Sequence, residues 1–133
     1  MTDAANVAAA GAYMVDGSKT LTADVTMGAT KFLNLSVTAG ITASVTQTQG
    51  EGLLTSGVNE ISVCANTNDV ATMPAALTGR MVVVINNGAE TLQLFPASGE
   101  THNGAAVDAS ITMLTGVSGL FMCFNSTTWA LIG

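Results

Sequence analysis

The chain has 133 residues, with nine acidic side chains against three basic ones, a formal net charge of −6 and a pI near 4.2. Only 9% of the residues are charged while 48% are hydrophobic, and threonine alone outnumbers Asp, Glu, Lys and Arg together; this suits one domain with a single core and excludes a disordered, collagenous or coiled-coil chain. The acidic field repels phosphate backbones and anionic lipid headgroups, so neither nucleic acid nor a membrane is an expected partner.

Mean hydropathy is +0.48, yet no apolar run approaches the ~20 residues that cross a bilayer. Met1-Thr2-Asp3 lacks a positive n-region, and the alanines between Ala4 and Ala12 are too weakly apolar for a signal h-region, so the cytosol is the expected site of synthesis. There Cys64 and Cys123 read as small buried hydrophobes, with a disulfide as the open alternative. Residues 1–18, MTDAANVAAAGAYMVDGS, read as an N-terminal arm, because Gly11 and Gly17 interrupt a stretch already short for a stable helix. Such an arm is either loosely ordered or laid on a neighbouring subunit.

Residues 19–133 form the β-rich domain. Short segments alternate apolar and hydroxyl residues between Gly, Asn and Asp, which predicts strands at Leu21 to Met27, Lys31 to Val37, Ile41 to Gln47, Ile61 to Ala65, Met81 to Asn86, Thr91 to Phe95, Ser110 to Leu114, Gly119 to Phe124 and Thr128 to Ile132. Nothing reads as a long helix. The expected fold is all-β, a single-domain β-sandwich or a jelly-roll-like barrel of short antiparallel strands, since βαβ units need helical crossovers. The clearest local element is MVVVI followed by TLQLF across Asn87-Gly88, which predicts a hairpin with a type I′ turn. That register sets Val83 opposite Leu92 and Met81 opposite Leu94 on one face, with Val82 and Val84 on a second, mixed face available to a sheet or another subunit. Pro74 and Pro96 mark strand exits.

Few groups offer chemistry. His102, the lone histidine, stands beside Asn103-Gly104 and reads as a turn residue. No metal-ligand spacing, phosphate-cradling glycine loop or nucleophile elbow is present, so no catalytic, cofactor-binding or metal site is expected. The acidic residues are spread near turns as a solubility pattern. Glu51, Glu60, Glu90 and Glu100 are the carboxylates to test first if a glycosidase pair exists. The aromatics give no exposed strip: Phe121 and Phe124 point to opposite faces of a strand, Trp129 closes the core or a subunit contact, and the methionines fill gaps.

From about Gln49 to Ile132 the chain carries Met73-Pro74-Ala75-Ala76, Gly79-Arg80, Val82 to Ile85, Asn86-Asn87-Gly88-Ala89, Thr91-Leu92-Gln93-Leu94-Phe95-Pro96-Ala97-Ser98-Gly99, Asn103-Gly104 and Trp129. This succession resembles a pattern of tailed-phage virion proteins, from which His102 departs where an apolar residue is usual. The resemblance implies a structural, non-enzymatic role: a homotrimeric capsid decoration (cement) protein that binds the major capsid protein on the outer surface of a phage head and stabilises it. It would be made in the host cytoplasm and reside on the virion, with the arm as a capsid or inter-subunit contact. The alternative is a tail-fibre or tail-tip module that binds a cell-surface glycan.

Overall fold

The computed structural model describes residues 34–132, and the expected arm and the expected strand at Leu21 to Met27 lie outside them. The described residues are all-β, with no helix: β1 (Val37–Thr42), β2 (Val58–Val63), β3 (Asp69–Thr72), β4 (Met81–Asn86), β5 (Leu92–Phe95), β6 (Thr101–His102), β7 (Ile111–Met113), β8 (Val117–Cys123) and β9 (Thr128–Ile132). β4 and β9 have the expected bounds, and β2, β5, β7 and β8 overlap their expected segments. The strand expected at Ile41 to Gln47 is displaced: β1 ends at Thr42, and beyond it only Ser44 makes a bridge, to Val70. β3 ends just before Met73-Pro74 and β5 directly before Pro96, as the missing proline N–H requires.

Six strands form one sheet in the order β1-β2-β4-β8-β9-β6, and three form a second in the order β3-β5-β7. The expectation of antiparallel strands needs correction. β1 with β2, β2 with β4, β3 with β5, and β6 with β9 are all parallel; only β4 with β8, β5 with β7, and β8 with β9 are antiparallel. Parallel neighbours require a long crossover, usually a helix. Here the crossover is a strand of the other sheet: β3 carries the chain from β2 to β4, and β4 carries it from β3 to β5. The chain therefore winds as a short coil, each circuit taking about two dozen residues from Val58 to its partner Val83 and from Asp69 to its partner Leu92. β7 and β8 then run back against β5 and β4 and end the winding.

The hairpin expected between Met81 and Phe95 is absent for the same reason, because β4 and β5 belong to different sheets. Neither Asn87 nor Gly88 has the positive φ of a type I′ turn. The faces change accordingly. Val82 and Val84 point into the core with Leu92 and Leu94, whereas Met81 and Val83 point outward.

Both sheets contribute to one core, with Ile61, Val82, Val84, Phe121 and Trp129 from the larger sheet meeting Ala71, Leu92, Leu94 and Met113 from the smaller. Full burial of each large side chain stabilises the fold by roughly 1.5–3 kcal/mol. Each corner is then tied by a buried polar side chain. Asn59 bonds both backbone groups of Ser56, Asp69 accepts from the N–H groups of Ala65 and Asn66, and Thr72 links Glu51 O to Gly50 N. Asn86 does most: its Nδ2 donates to Glu90 O and Met113 O, both at 3.0 Å, while its Oδ1 accepts from Gly88 N at 3.1 Å. Gly88 is needed there by close approach, since a Cβ would lie 2.4 Å from the Cys64 backbone nitrogen.

Asn86→Ala should lower stability by about 1–3 kcal/mol for each carbonyl left without its donor, read as a fall in the urea midpoint at unchanged slope. Gly88→Ala should cost about 1–3 kcal/mol by overpacking against Cys64; an unchanged midpoint would show that this corner yields freely.

Candidate functional site

The four carboxylates singled out from the sequence separate into different surroundings. The Glu51 side chain is exposed, and Glu90 accepts from the Thr67 hydroxyl. Glu60 accepts from Gly40 N and from Asn87 Nδ2. Glu100 is buried, holding Ala76 N at 2.6 Å and the Trp129 indole N–H at 3.1 Å. With Asp69 also buried, two of the acidic residues serve as internal acceptors rather than as solubilising surface charge. Among the described residues no group of three or more His, Cys, Asp and Glu side chains is placed to hold a metal ion.

His102 is not a turn residue. It lies in β6, only 3% exposed, tilted against the Phe121 ring, and the turn begins with the following Asn103-Gly104. Its Nε2 donates to Leu94 O at 3.2 Å, because a carbonyl can only accept. Nδ1 is then a lone pair with no hydrogen-bond partner among the described residues. A cavity of about 330 Å³ lined by His102, Asn103, Ile111, Thr112 and Leu131 adjoins the ring, and among the described residues His102 is its one titratable lining residue. Burial pushes the imidazole below its ordinary value of 6.5, outweighing the opposite effect of the Leu94 bond. Both cysteines are free thiols in the core, as expected for small hydrophobes, and burial is the main cause that pushes both thiols up.

The most extensive feature is the outward face of the six-stranded sheet. Val37 pairs with Val58, Val58 with Val83, Val83 with Leu120, and Leu120 with Ile132. Directly paired residues point to the same side of a sheet, so these form one aliphatic row across five adjacent strands, about 19 Å at the usual strand spacing. Met81, Met122 and Ala130 form a second row beside it. The side chains are not sealed by anything among the described residues: Val37 is 65% exposed, Ile132 45% and Leu120 37%. The opposite face of the same strands carries Val84, Phe121 and Trp129 into the core, so β4, β8 and β9 are apolar on both sides. Phe121 is buried within β8, and Phe124, just beyond the end of that strand, is exposed.

Glu60 stands on this face, whereas Arg80 has the parity of Val82 and Val84, lies opposite the buried Cys123 and turns to the other side of the sheet. Glu60 pairs with Ile85 near the C-terminal end of β4. Arg80 immediately precedes β4, donates to Ala75 O, and lines a cavity of about 220 Å³ with Thr55, Ser56, Gly57, Pro74, Met81 and Val82. The sequence singled out neither the aliphatic row nor Arg80 as a functional feature. The apolar signal was present in MVVVI, but the row depends on strand order, which local pattern does not reveal. No protein-family model and no curated protein matches the chain.

A pH dependence follows from His102. The unfolded chain protonates this ring as pH falls through about 6.5 while the folded chain keeps it neutral, so the unfolded state binds the extra proton and stability falls from there down to the folded pKa. Urea unfolding from neutral to mildly acidic pH should show this loss, and His102→Gln should flatten it; an unchanged slope in the variant would remove His102 as its source. Both thiols should resist a thiol-specific reagent in the native protein and react on unfolding, since the thiolate is the reactive form.

Proposed function

We propose that this protein is a structural virion subunit: a homotrimeric decoration, or cement, protein that binds the major capsid protein on the outside of a tailed-phage head and stabilises the shell. The observation that carries it is the aliphatic outer face of the six-stranded sheet, a large apolar area of the kind that marks association surfaces. The succession of motifs from Met73 to Trp129 supports the virion assignment, and the two sheets around one core are read as a β-sandwich wound as a short coil. Nothing in this reading calls for chemistry. The buried Glu100 and Asp69 are consumed in holding backbone and indole donors, and Glu51, Glu60 and Glu90 sit in unrelated surroundings.

A subunit of this kind acts by linkage. It binds the assembled lattice and not the dispersed capsid protein, so each bound copy adds RT ln(1 + [L]/Kd) to the stability of the assembled state, and several contacts per oligomer multiply a weak single contact. The rival reading as a glycan-binding tail module would draw on the hydrogen-bonded strip of Asn68, Gln93, Thr112 and Ser110 on the smaller sheet. There, however, Gln93 already spends its amide on its neighbours.

Placement in a reconstruction of the intact particle tests the proposal. Hundreds of copies on the head agree with decoration, and about a dozen or fewer at the tail overturn it. Removal of residues 1–18 should abolish binding to purified capsids while the oligomer stays folded; full occupancy without them would take the capsid contact away from the arm.

A further inference from the structure

The tripeptide Asn-Gly-Ala occurs twice, at Asn87-Gly88-Ala89 and at Asn103-Gly104-Ala105, and the chain has no other Asn-Gly pair. In an Asn-Gly pair the carboxamide is open to attack by the chain's own backbone, because glycine puts no side chain around the amide nitrogen that follows. Local sequence makes the two copies equal, and the fold makes them unequal.

The first copy is shut. Gly88 is buried, its N–H donates to Asn86 Oδ1 at 3.1 Å, and Cys64 crowds it so closely that even a Cβ has no room. The Asn87 carboxamide is held as well, donating from Nδ2 to Glu60 Oε1 at 3.1 Å. Attack on Asn87 Cγ would have to break both bonds and displace buried backbone. The second copy is open. Asn103 and Gly104 are both exposed, and among the described residues neither the Asn103 carboxamide nor the Gly104 N–H has a hydrogen-bond partner. Gly104, at φ +82°, sits in a turn closed by Ala105 N on His102 O at 2.9 Å, and nothing lies within 4 Å of where its Cβ would stand.

We propose that Asn103 is a site of spontaneous covalent modification, deamidating in the folded protein while Asn87 is protected. The Gly104 nitrogen gives its proton to solvent hydroxide and bonds to Asn103 Cγ; the Cγ–Nδ2 bond breaks, and Nδ2 leaves as ammonia with a proton from water. Water then opens the succinimide. Cleavage of the new N–Cγ bond leaves aspartate, and cleavage at the main-chain carbonyl leaves isoaspartate, in which the chain runs through Cβ and Cγ. Overall one water is consumed and one ammonia released, with no change of oxidation state.

The position of Asn103 gives the modification its effect. Asn103 borders the His102 cavity, so either product places a carboxylate where the described lining has none. It also directly follows β6, a two-residue strand at the end of the six-stranded sheet, held by its pairing with β9 and by Asn103 N on Trp129 O at 2.7 Å. The isoaspartyl link adds a methylene to the turn that ends this strand, so β6 loosens from β9 in the isoaspartate form and stays in place in the aspartate form. The reaction depends on the fold alone and holds whichever surface the protein attaches to.

Peptide mapping by mass spectrometry tests it, on the full chain held at mildly alkaline pH as folded protein and, in parallel, in concentrated urea. In the folded protein Asn103 should deamidate about tenfold or more faster than Asn87, because reaction at Asn87 waits for its corner to open. In urea the two should react within about threefold of each other, since the contacts that distinguish them are gone. Asn103→Gln should remove the fast site and leave the slow one. Equal rates in the folded protein, or an Asn103 that reacts only in urea, overturns the proposal. Hydrogen exchange across Thr101–Ala105 should quicken by about tenfold in the isolated isoaspartyl form and stay near the wild-type rate in Asn103→Asp; equal exchange in all three forms overturns the loosening of β6.

Discussion

The carboxamide of Asn86 stands where the chain leaves the six-stranded sheet for the three-stranded one, and the rest of the architecture depends on that exit. By bonding Glu90 O and Gly88 N it bends β4 toward β5, and by bonding Met113 O it fastens the same corner to the strand that later runs back. An apolar residue here would remove these bonds from two carbonyls and one N–H, at a cost that grows with their burial. The Thr115 hydroxyl adds a bond to Gly88 O, so both ends of the reversal, at β4–β5 and at β7–β8, meet at one point.

That corner also separates what local pattern reveals from what it hides. Met81–Asn86 and Thr128–Ile132 were legible because β-branched and aromatic runs end sharply at polar residues. β3 was missed because Asp69 opens it and the four residues are all buried, which reads in sequence as a turn followed by a fragment of core. β6 was missed inside PASGETHNG, where every neighbour is a turn former. The hairpin failed for a different reason: Asn87-Gly88 fits a two-residue turn in isolation, but Gly88 is glycine because Cys64 lies against it, a contact made 24 positions away in the chain. Partner choice between strands is a long-range property, and neither the parallel winding nor the aliphatic row can be obtained without it.

The candidate site was legible in composition rather than in position. The valine run signalled a strand with apolar side chains on both of its faces. Which residues share the outward face follows only from the pairings Val37 to Val58 to Val83 to Leu120 to Ile132. The carboxylates show the converse. Spacing gave no reason to distinguish Glu100 from Glu51, yet one is enclosed with the Trp129 indole and the other is in water.

The coil has a modular consequence. Because each circuit returns the chain to the neighbouring position in both sheets, a duplicated circuit from Val58 to Val82 would lengthen the molecule along the stacking direction without altering its cross-section. Each added circuit would also extend the aliphatic row by one strand. Molecular length and the apolar area of that face would then rise together, in steps, so that a chain of this type could gain exposed apolar surface by growth instead of by substituting individual residues.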